Sequence, residues 1–224
     1  MSGPALSLWG RASSANVQKA LWALEELGLA YERIPAGLSF GVNDGAEYRA
    51  MNPNGTVPTL RDGDLILWES DAILRHLARS YGRGGLWPTD PAAAAIADQW
   101  TTWTAAALGP SVLTLFHRTV RTPRAEQRLE GLETAAEAAA RAVALLDAAL
   151  EGRRFLAGDA FSFGEICPAI MARRALNLPW GAATGPNVAR WLDRLSERPG
   201  YARWVDVPFG TCREEWDAHE RAIG

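Results

Sequence analysis

The fold is decided by residues 52–70, which read NPNGTVPTLRDGDLILWES. The run Asn52-Pro53-Asn54-Gly55 predicts a turn. Asp62-Gly63-Asp64 lies between two short apolar runs, 57–60 and 65–68, a pattern typical of a β-hairpin. Glu69-Ser70-Asp71 then opens a segment with helical periodicity. The stretch therefore predicts a turn, a hairpin and a helix in succession.

Upstream of this stretch, strand and helix signals alternate. Residues 6–9 predict a strand, and apolar residues then recur at helical spacing from Val17 to Leu27 until Gly28 ends the helix. Residues 31–34 predict a second strand, and a short helix is expected near 46–51. The resulting order, β-α-β-α-β-β-α, favours a βαβ unit over an all-helical or all-β domain.

Downstream of residue 91 the signals are helical. Asp90-Pro91 is an N-cap followed by proline, which predicts a helix through about Leu108, and Thr122-Pro123 repeats the pattern. An apolar stripe predicts a long helix ended by Gly152. Residues 162–165, Ser-Phe-Gly-Glu, predict a capping box before another helix. The last predicted helix lies near 186–195.

The residues between these halves have the composition of a linker, because 82–91 contain three Gly and two Pro. We therefore predict an α/β domain at 1–83, a linker at 84–91 and an all-helical domain at 92–224.

Composition excludes several classes of protein. An apolar fraction of 48% fills a core, and a net charge of −3 without a basic block argues against nucleic acid and anionic membranes as partners. No apolar run approaches the roughly 20 residues that span a bilayer, so we expect a cytoplasmic protein. Cys167 and Cys212 have no metal-binding or CxxC spacing, so no metal is expected.

The ordered set of motifs resembles the glutathione S-transferase superfamily, and within it the bacterial GstB-like branch. The residues that carry the resemblance are Leu8-Trp9-Gly10-Arg11, Asn16-Val17-Gln18-Lys19, residues 52–58 and Leu67-Trp68-Glu69-Ser70. The match covers nearly the whole chain. It implies a thioredoxin-like domain that binds glutathione, followed by an all-α domain that shapes the pocket for an electrophile.

The resemblance implies two groups of glutathione-binding residues. Val57 pairs through its main chain with the cysteinyl part of glutathione, with Pro58 expected in the cis form. Glu69 accepts from the γ-glutamyl ammonium and Ser70 donates to the carboxylate, at a helix N-terminus that favours anions. A plain turn proline and a simple N-cap are the alternative interpretations of these motifs.

The thiol-activating group is expected in the loop 11–16. A free thiol with a pKa near 8.5 is mostly protonated at neutral pH, so a donor must favour its thiolate. Ser14 is the first candidate because it takes the position of the theta- and delta-class serine. Asn16 takes that of the nu-class asparagine, and Ser13 is the alternative if the loop is shifted by one residue. Tyrosine or cysteine activation is disfavoured, since Tyr31 is the first tyrosine and the loop has no cysteine.

Further residues are assigned by the same resemblance. Arg11 offsets thiolate charge or holds a substrate carboxylate, unless it is a surface arginine. The electrophile pocket is expected to include Trp103, Leu108, Phe116 and Arg118, although residues at helical spacing also serve as core. The resemblance also implies a homodimer in which the first domain of each chain faces the helical domain of the other.

The predicted function is therefore a glutathione transferase, in which bound glutathione attacks a small hydrophobic or halogenated electrophile. A glutathione-dependent disulfide reductase of nu-class type is one alternative, favoured by Asn16. A non-catalytic binding module on the same fold is the other.

Overall fold

A computed structural model describes residues 6–178 and 182–223, so the predicted domain limits at Met1 and Gly224 lie outside the described residues. The first half has the predicted order of elements. They are β1 (Leu6–Trp9), α1 (Ala15–Glu26), β2 (Glu32–Ile34), α2 (Ala46–Met51), β3 (Thr59–Asp62), β4 (Leu65–Trp68) and α3 (Ser70–Tyr81). A short 3-10 turn at Leu38–Phe40 precedes α2.

The four strands form one mixed sheet in the order β2-β1-β3-β4. The pair β1–β2 is parallel, and the pairs β1–β3 and β3–β4 are antiparallel. Alternate residues of β1 face opposite sides of the sheet. Leu8 lies in the main core, whereas Trp9 packs with Ala36 and Tyr48 in a smaller cluster. This is the arrangement of a thioredoxin-like domain.

The second half is helical within the described residues. Its helices are α4 (Pro91–Trp103), α5 (Gly109–Arg118), α6 (Glu133–Ala149), α7 (Phe163–Asn177), α8 (Pro186–Ser196), α9 (Pro199–Trp204) and α10 (Arg213–Ile223). None of the helices within 6–178 and 182–223 combines the length and hydropathy required to cross a bilayer.

The helix predicted to end near Leu108 instead continues through a π-helical turn, Thr104–Leu108, into α5. The amide of Gly109 donates to the carbonyl of Thr104, five residues back. A Cβ at residue 109 would lie 2.9 Å from that oxygen, and Pro110 has no N–H to donate. The wider turn accommodates both residues, so the prediction placed the end of the helix too early.

Two other helix-start predictions need correction. Thr122-Pro123 begins only a 3-10 turn at Arg124–Glu126, because the side chain of Gln127 then ties the chain to the carbonyls of Thr119 and Thr211. Only one of the two hydrogen bonds of the predicted capping box at Ser162 forms. Ser162 Oγ accepts from the Gly164 amide at 3.3 Å, but Glu165 does not return the bond.

The carboxylate of Glu165 turns into the core instead. It accepts from the Leu156 amide at 3.0 Å and from Trp191 Nε1 at 2.8 Å. Burial raises the pKa of Glu165 to about 7, although these donors act to lower it. Glu165 therefore joins α7 to α8 and to the loop before α7, rather than capping its own helix.

The two halves share one continuous core. Trp22 of α1 is fully buried and packs against Phe161 and Tyr201 of the helical half. Gly200 allows this approach, since a Cβ there would lie 2.5 Å from Trp22. Helices α9 and α10 were not predicted from the sequence. Helix α10 buries Trp216 and Glu220 and borders a cleft between the halves.

Candidate active site

A cleft of about 320 Å³ lies where the first domain meets the helical half. Five parts of the chain contribute to it. Its lining includes the loop and first turn of α1 (residues 11 and 13–16), residues 37–57 in part, α5 with Arg121, and Arg174 and Trp216. The structure thus brings all four predicted loop residues to one cleft together with Val57.

Ser13 is held by the helical half. Its hydroxyl and its amide both donate to the carboxylate of Glu220 in α10, and its carbonyl accepts from Arg174 at 2.7 Å. A hydroxyl has one proton to donate. Because that proton is directed to Glu220, Ser13 Oγ has none left for a thiolate in the cleft.

Ser14 differs from its neighbour. It is the N-cap of α1 with an extended backbone, yet its side chain makes no capping hydrogen bond. Throughout the described ranges its hydroxyl has no partner, although the residue is 8% exposed and lines the cleft. An unpaired hydroxyl at a helix N-terminus is suited to donate to an anion, because the helix dipole also favours negative charge there.

Asn16 lies in the first turn of the same helix, α1. Its side chain is exposed, and it lines both this cleft and a second one of about 210 Å³ beside α3. Its amide is therefore available to a ligand that extends from one cleft into the other.

Three arginines line the main cleft: Arg11 in the loop before α1, Arg121 after α5 and Arg174 in α7. Arg11 Nε is 3.8 Å from the Glu220 carboxylate and makes no hydrogen bond. Burial, opposed by Glu220 but aided by Arg121 and Arg213, lowers the pKa of Arg11 to about 10. Burial and the charge of Arg11 likewise lower the pKa of Arg174 to about 9. All three stay cationic at neutral pH, and the cleft has an excess of positive charge.

Val57 lines the cleft. The Val57–Pro58 peptide bond is cis, and the turn before it is held by Tyr48 and Asn52, which both donate to the carbonyl of Thr56. Within residues 6–178 and 182–223, neither the amide nor the carbonyl of Val57 has a hydrogen-bond partner. An extended peptide can pair with both groups.

The second cleft contains Glu69 and Ser70 at the start of α3. Glu69 has φ 70°, a left-handed conformation that is uncommon for a residue with a side chain, and its carboxylate is exposed. Ser70 is buried, and its hydroxyl accepts from Lys19 Nζ at 3.2 Å. An exposed carboxylate beside a hydroxyl can bind the ammonium and the carboxylate of one amino-acid group.

Of the four residues expected in the electrophile pocket, the structure places only Phe116 on the main cleft. Leu108 is fully buried in the core, and Trp103 packs edge-on against Trp100. Arg118 turns away to donate to the carbonyls of Arg128 and Glu130. These three side chains meet other protein groups and do not line the cleft.

Sequence reasoning missed Arg121, Arg174, Trp216 and Glu220. Arg174 lies in the helix predicted after Ser162, and its burial depends on contacts with Ser13 and Gln18 of the first half. Trp216 and Glu220 are four residues apart, a helical spacing that could have indicated one face of α10.

Comparison with known proteins agrees with this geometry. Residues 4–79 match the family model "Glutathione S-transferase, N-terminal domain", and residues 108–199 match "Glutathione S-transferase, C-terminal domain". The chain is 42% identical to glutathione S-transferase GstB of Escherichia coli over 205 residues, 91% of this chain and 99% of that protein. It is 31% identical to glutathione S-transferase 4 of Zea mays, over 96% of this chain and all of the other.

A solved structure is also similar. The theta-class glutathione S-transferase of Xanthomonas axonopodis pv. citri, crystallised with glutathione bound, superposes with a TM-score of 0.88 at 41% identity. The match covers 93% of this chain and 100% of that one.

The fold, a thioredoxin-like domain followed by an all-helical domain, places the chain in a class of two-domain glutathione-dependent enzymes. The chain belongs to the glutathione S-transferase family. The predicted fold, the transferase class and glutathione as co-substrate are confirmed by these matches.

Proposed function

We propose that the chain binds glutathione across the two clefts and activates its thiol mainly through Ser14. The single observation that carries this proposal is the unpaired Ser14 hydroxyl at the N-terminus of α1, in the cleft that Val57 also lines. The cysteinyl part pairs with Val57 before Pro58, and the γ-glutamyl end reaches Glu69 and Ser70.

Activation follows from the charges around the sulfur. A hydrogen bond to a charged acceptor contributes about 1.5–3 kcal/mol, which corresponds to about one to two pKa units for the thiol. Ser14 donates that bond, Asn16 supplies an amide donor nearby, and Arg11 adds positive charge. Ser13 is not part of this proposal, because its proton is directed to Glu220.

We further propose a small halogenated electrophile that carries an acidic group. Phe116, Leu113 and Trp216 supply apolar surface, while the cationic side of the cleft pairs with a carboxylate. The thiolate sulfur attacks the carbon that bears the halogen. A sulfur–carbon bond forms, the carbon–halogen bond breaks, and halide leaves with its electron pair.

The test is the ultraviolet thiolate absorbance of bound glutathione, followed across pH for the native protein and for Ser14→Ala, Asn16→Ala and Ser13→Ala. The native thiol pKa should lie well below the free value, and Ser14→Ala should raise it by about one to two units. If glutathione binds with an unshifted thiol in the native protein, the catalytic proposal fails and the non-catalytic binding module replaces it.

A second candidate activity is reduction of small disulfides. It is favoured by the exposed amide of Asn16, which lies in both clefts. Two glutathione molecules would supply two electrons, yielding oxidised glutathione and two substrate thiols. Turnover of a small disulfide that Asn16→Ala abolishes, while halide release continues, would establish it. Halide release without disulfide turnover would exclude it.

We also propose a homodimer in which the first domain of each chain faces the helical domain of the other. The edge strand β4 leaves Leu65, Ile66 and Trp68 exposed, and unpaired apolar edges of this kind are covered in stable proteins. Light scattering after gel filtration should give twice the chain mass. Leu65→Glu should shift that mass toward one chain, and a native monomer would contradict the proposal.

The remaining proposals concern domain limits and location. We retain 1–83 and 92–224 as the domains and 84–91 as their linker, supported by the end of α3 at Tyr81 and the start of α4 at Pro91. A cytoplasmic location is proposed from the sequence. Limited proteolysis and cell fractionation, respectively, test these two statements.

A further inference from the structure

A buried lysine, Lys19, lies beneath the second cleft. It is on α1, is 5% exposed and lines that cleft together with Ser70 and Asp71 of α3. Its Nζ is 2.6 Å from Asp71 Oδ1 and 3.2 Å from Ser70 Oγ. A buried ammonium is costly unless it is paired, and here Asp71 supplies the pair while Ser70 accepts a second hydrogen bond.

The hydrogen bonds around Lys19 fix the direction of the Ser70 hydroxyl. An ammonium only donates, so Ser70 Oγ must accept from Lys19. The proton of Ser70 is then free to point elsewhere. Among the described residues the Ser70 hydroxyl donates no hydrogen bond, and Ser70 borders the cleft. A ligand acceptor in the cleft would satisfy this proton.

We propose that Lys19 is a positioning residue for the α-carboxylate of the γ-glutamyl group. It holds Ser70 Oγ as an acceptor, so that the Ser70 hydroxyl donates outward, and it places positive charge behind that hydroxyl. This inference rests on the proposed binding of glutathione, and it assigns a role to a side chain outside the predicted Glu69–Ser70 pair.

The charges of the cluster agree with this role. Asp71 forms the ion pair with Lys19. The exposed Glu69 carboxylate is therefore not needed for that pair and can accept from the ligand's ammonium. Burial acts to lower the pKa of Lys19, but the opposing influence of Cys167 and Asp71 leaves it raised above its ordinary value. The ammonium is therefore retained at neutral pH, and the N-terminus of α3 adds to its field.

Cys167 of α7 provides a matched control in the same cluster. Its thiol contacts Asp71 Oδ1 at 3.6 Å, and it is fully buried. Cys167→Ala therefore disturbs the packing around Asp71 and Lys19 without removing a charge that faces the ligand.

The experiment measures the affinity of the full chain for three peptides by calorimetry. They are glutathione, γ-aminobutyryl-cysteinylglycine, which lacks the α-carboxylate, and glutaryl-cysteinylglycine, which lacks the ammonium. Lys19→Met should lower the affinity for glutathione and for the glutaryl peptide by about 10- to 100-fold. It should change the affinity for the γ-aminobutyryl peptide by less than about twofold, and Cys167→Ala should leave all three unchanged.

Two results overturn the inference. An equal loss for all three peptides means that Lys19 only supports α3, and no loss means that it does not act on the ligand. If Lys19→Met does not fold, Lys19→Gln takes its place, because the glutamine amide keeps a donor toward Ser70 and Asp71. Lys19→Gln should show a smaller loss of affinity, again for glutathione and the glutaryl peptide but not for the γ-aminobutyryl peptide. A native chain that binds none of the peptides overturns the proposed function itself, which distinguishes the two failures.

Discussion

The hydroxyl of Ser13 donates a hydrogen bond to the carboxylate of Glu220, 207 residues further along the chain. The same carboxylate accepts from the Ser13 amide and lies 3.8 Å from Arg11 Nε. One side chain of α10 therefore holds the loop that contains the proposed thiol activator and offsets part of the positive charge beside it.

Replacing Glu220 should alter stability and thiol chemistry together. In Glu220→Gln one of the two acceptors becomes a donor, so the free energy of unfolding should fall by about 1–3 kcal/mol. The thiol pKa of bound glutathione should fall as well, because Arg11 loses its compensating anion. Denaturant unfolding and thiolate absorbance measure the two effects. Glu214→Gln, exposed on the same helix, is the control, and identical behaviour of both variants would contradict the prediction.

The charge preference of the cleft should depend on Arg121. Its guanidinium contacts His117 Nε2 at 3.2 Å and lies over Trp216. Arg121→Gln should lower kcat/KM for a halogenated acid by about tenfold, the effect of one charge-assisted contact, and leave the corresponding amide unchanged. Arg118→Gln, on α5 but turned away from the cleft, should affect neither substrate. Equal losses for acid and amide would rule out a carboxylate contact.

The cysteine nearest the binding cluster should be inert in the native protein. Burial raises the pKa of Cys167 to about 12, with Lys19 opposing the shift and Asp71 adding to it. At pH 8 only about one thiol in ten thousand would be ionised. In Cys212→Ser, a chromogenic disulfide reagent should therefore react with Cys167 only as fast as the chain unfolds. Rapid stoichiometric labelling of folded protein would contradict this.

The free energy of unfolding should fall as pH rises, because the pKa of the buried Glu165 carboxyl is raised in the folded state. Its pKa is about 4.5 when unfolded and about 7 when folded, so between these values the native state keeps a proton that the unfolded state has lost. The contribution is fully present below pH 4.5 and is lost as pH rises through about 7, amounting to about 3 kcal/mol. Chemical denaturation at several pH values measures it.

Glu165→Gln is the control for that measurement. The amide does not titrate, so the difference between native and variant isolates the carboxyl from all other groups. The variant should also be less stable throughout, because its NH₂ group meets the donors of Leu156 and Trp191. A variant with the native pH slope would show that Glu165 does not titrate in this range.

Much of the fold could be predicted because its signals are local. The Asp62-Gly63-Asp64 turn, the apolar spacing of α1 and the Gly152 helix end each act within a few residues. The π-helical turn at 104–108 could not be predicted, since Gly109 and Pro110 are compatible with a helix end as well. Helix α10 is mostly charged, and the burial of Trp216 and Glu220 depends on a surface formed by distant residues.

In the candidate site too, the residues with local sequence signals could be predicted and those that depend on distant partners could not. Ser14, Asn16, Val57, Glu69 and Ser70 lie in short motifs, so their places at the clefts could be expected from the family resemblance that these motifs carry. The difference between Ser13 and Ser14 could not, because it depends on a partner 207 residues away. Lys19 was also missed, since a lysine at helical spacing is usually exposed, and its burial depends on the packing of α1 against α3 and α7.

The hydrogen bond between Ser13 and Glu220 can form only late in synthesis, after α10 has been made. The loop at 11–16 leaves the ribosome long before α10 does, so for most of translation the loop has no carboxylate to hold it. A protease that removed α10 would take Glu220 from the finished protein and would again leave this loop without the carboxylate that holds Ser13.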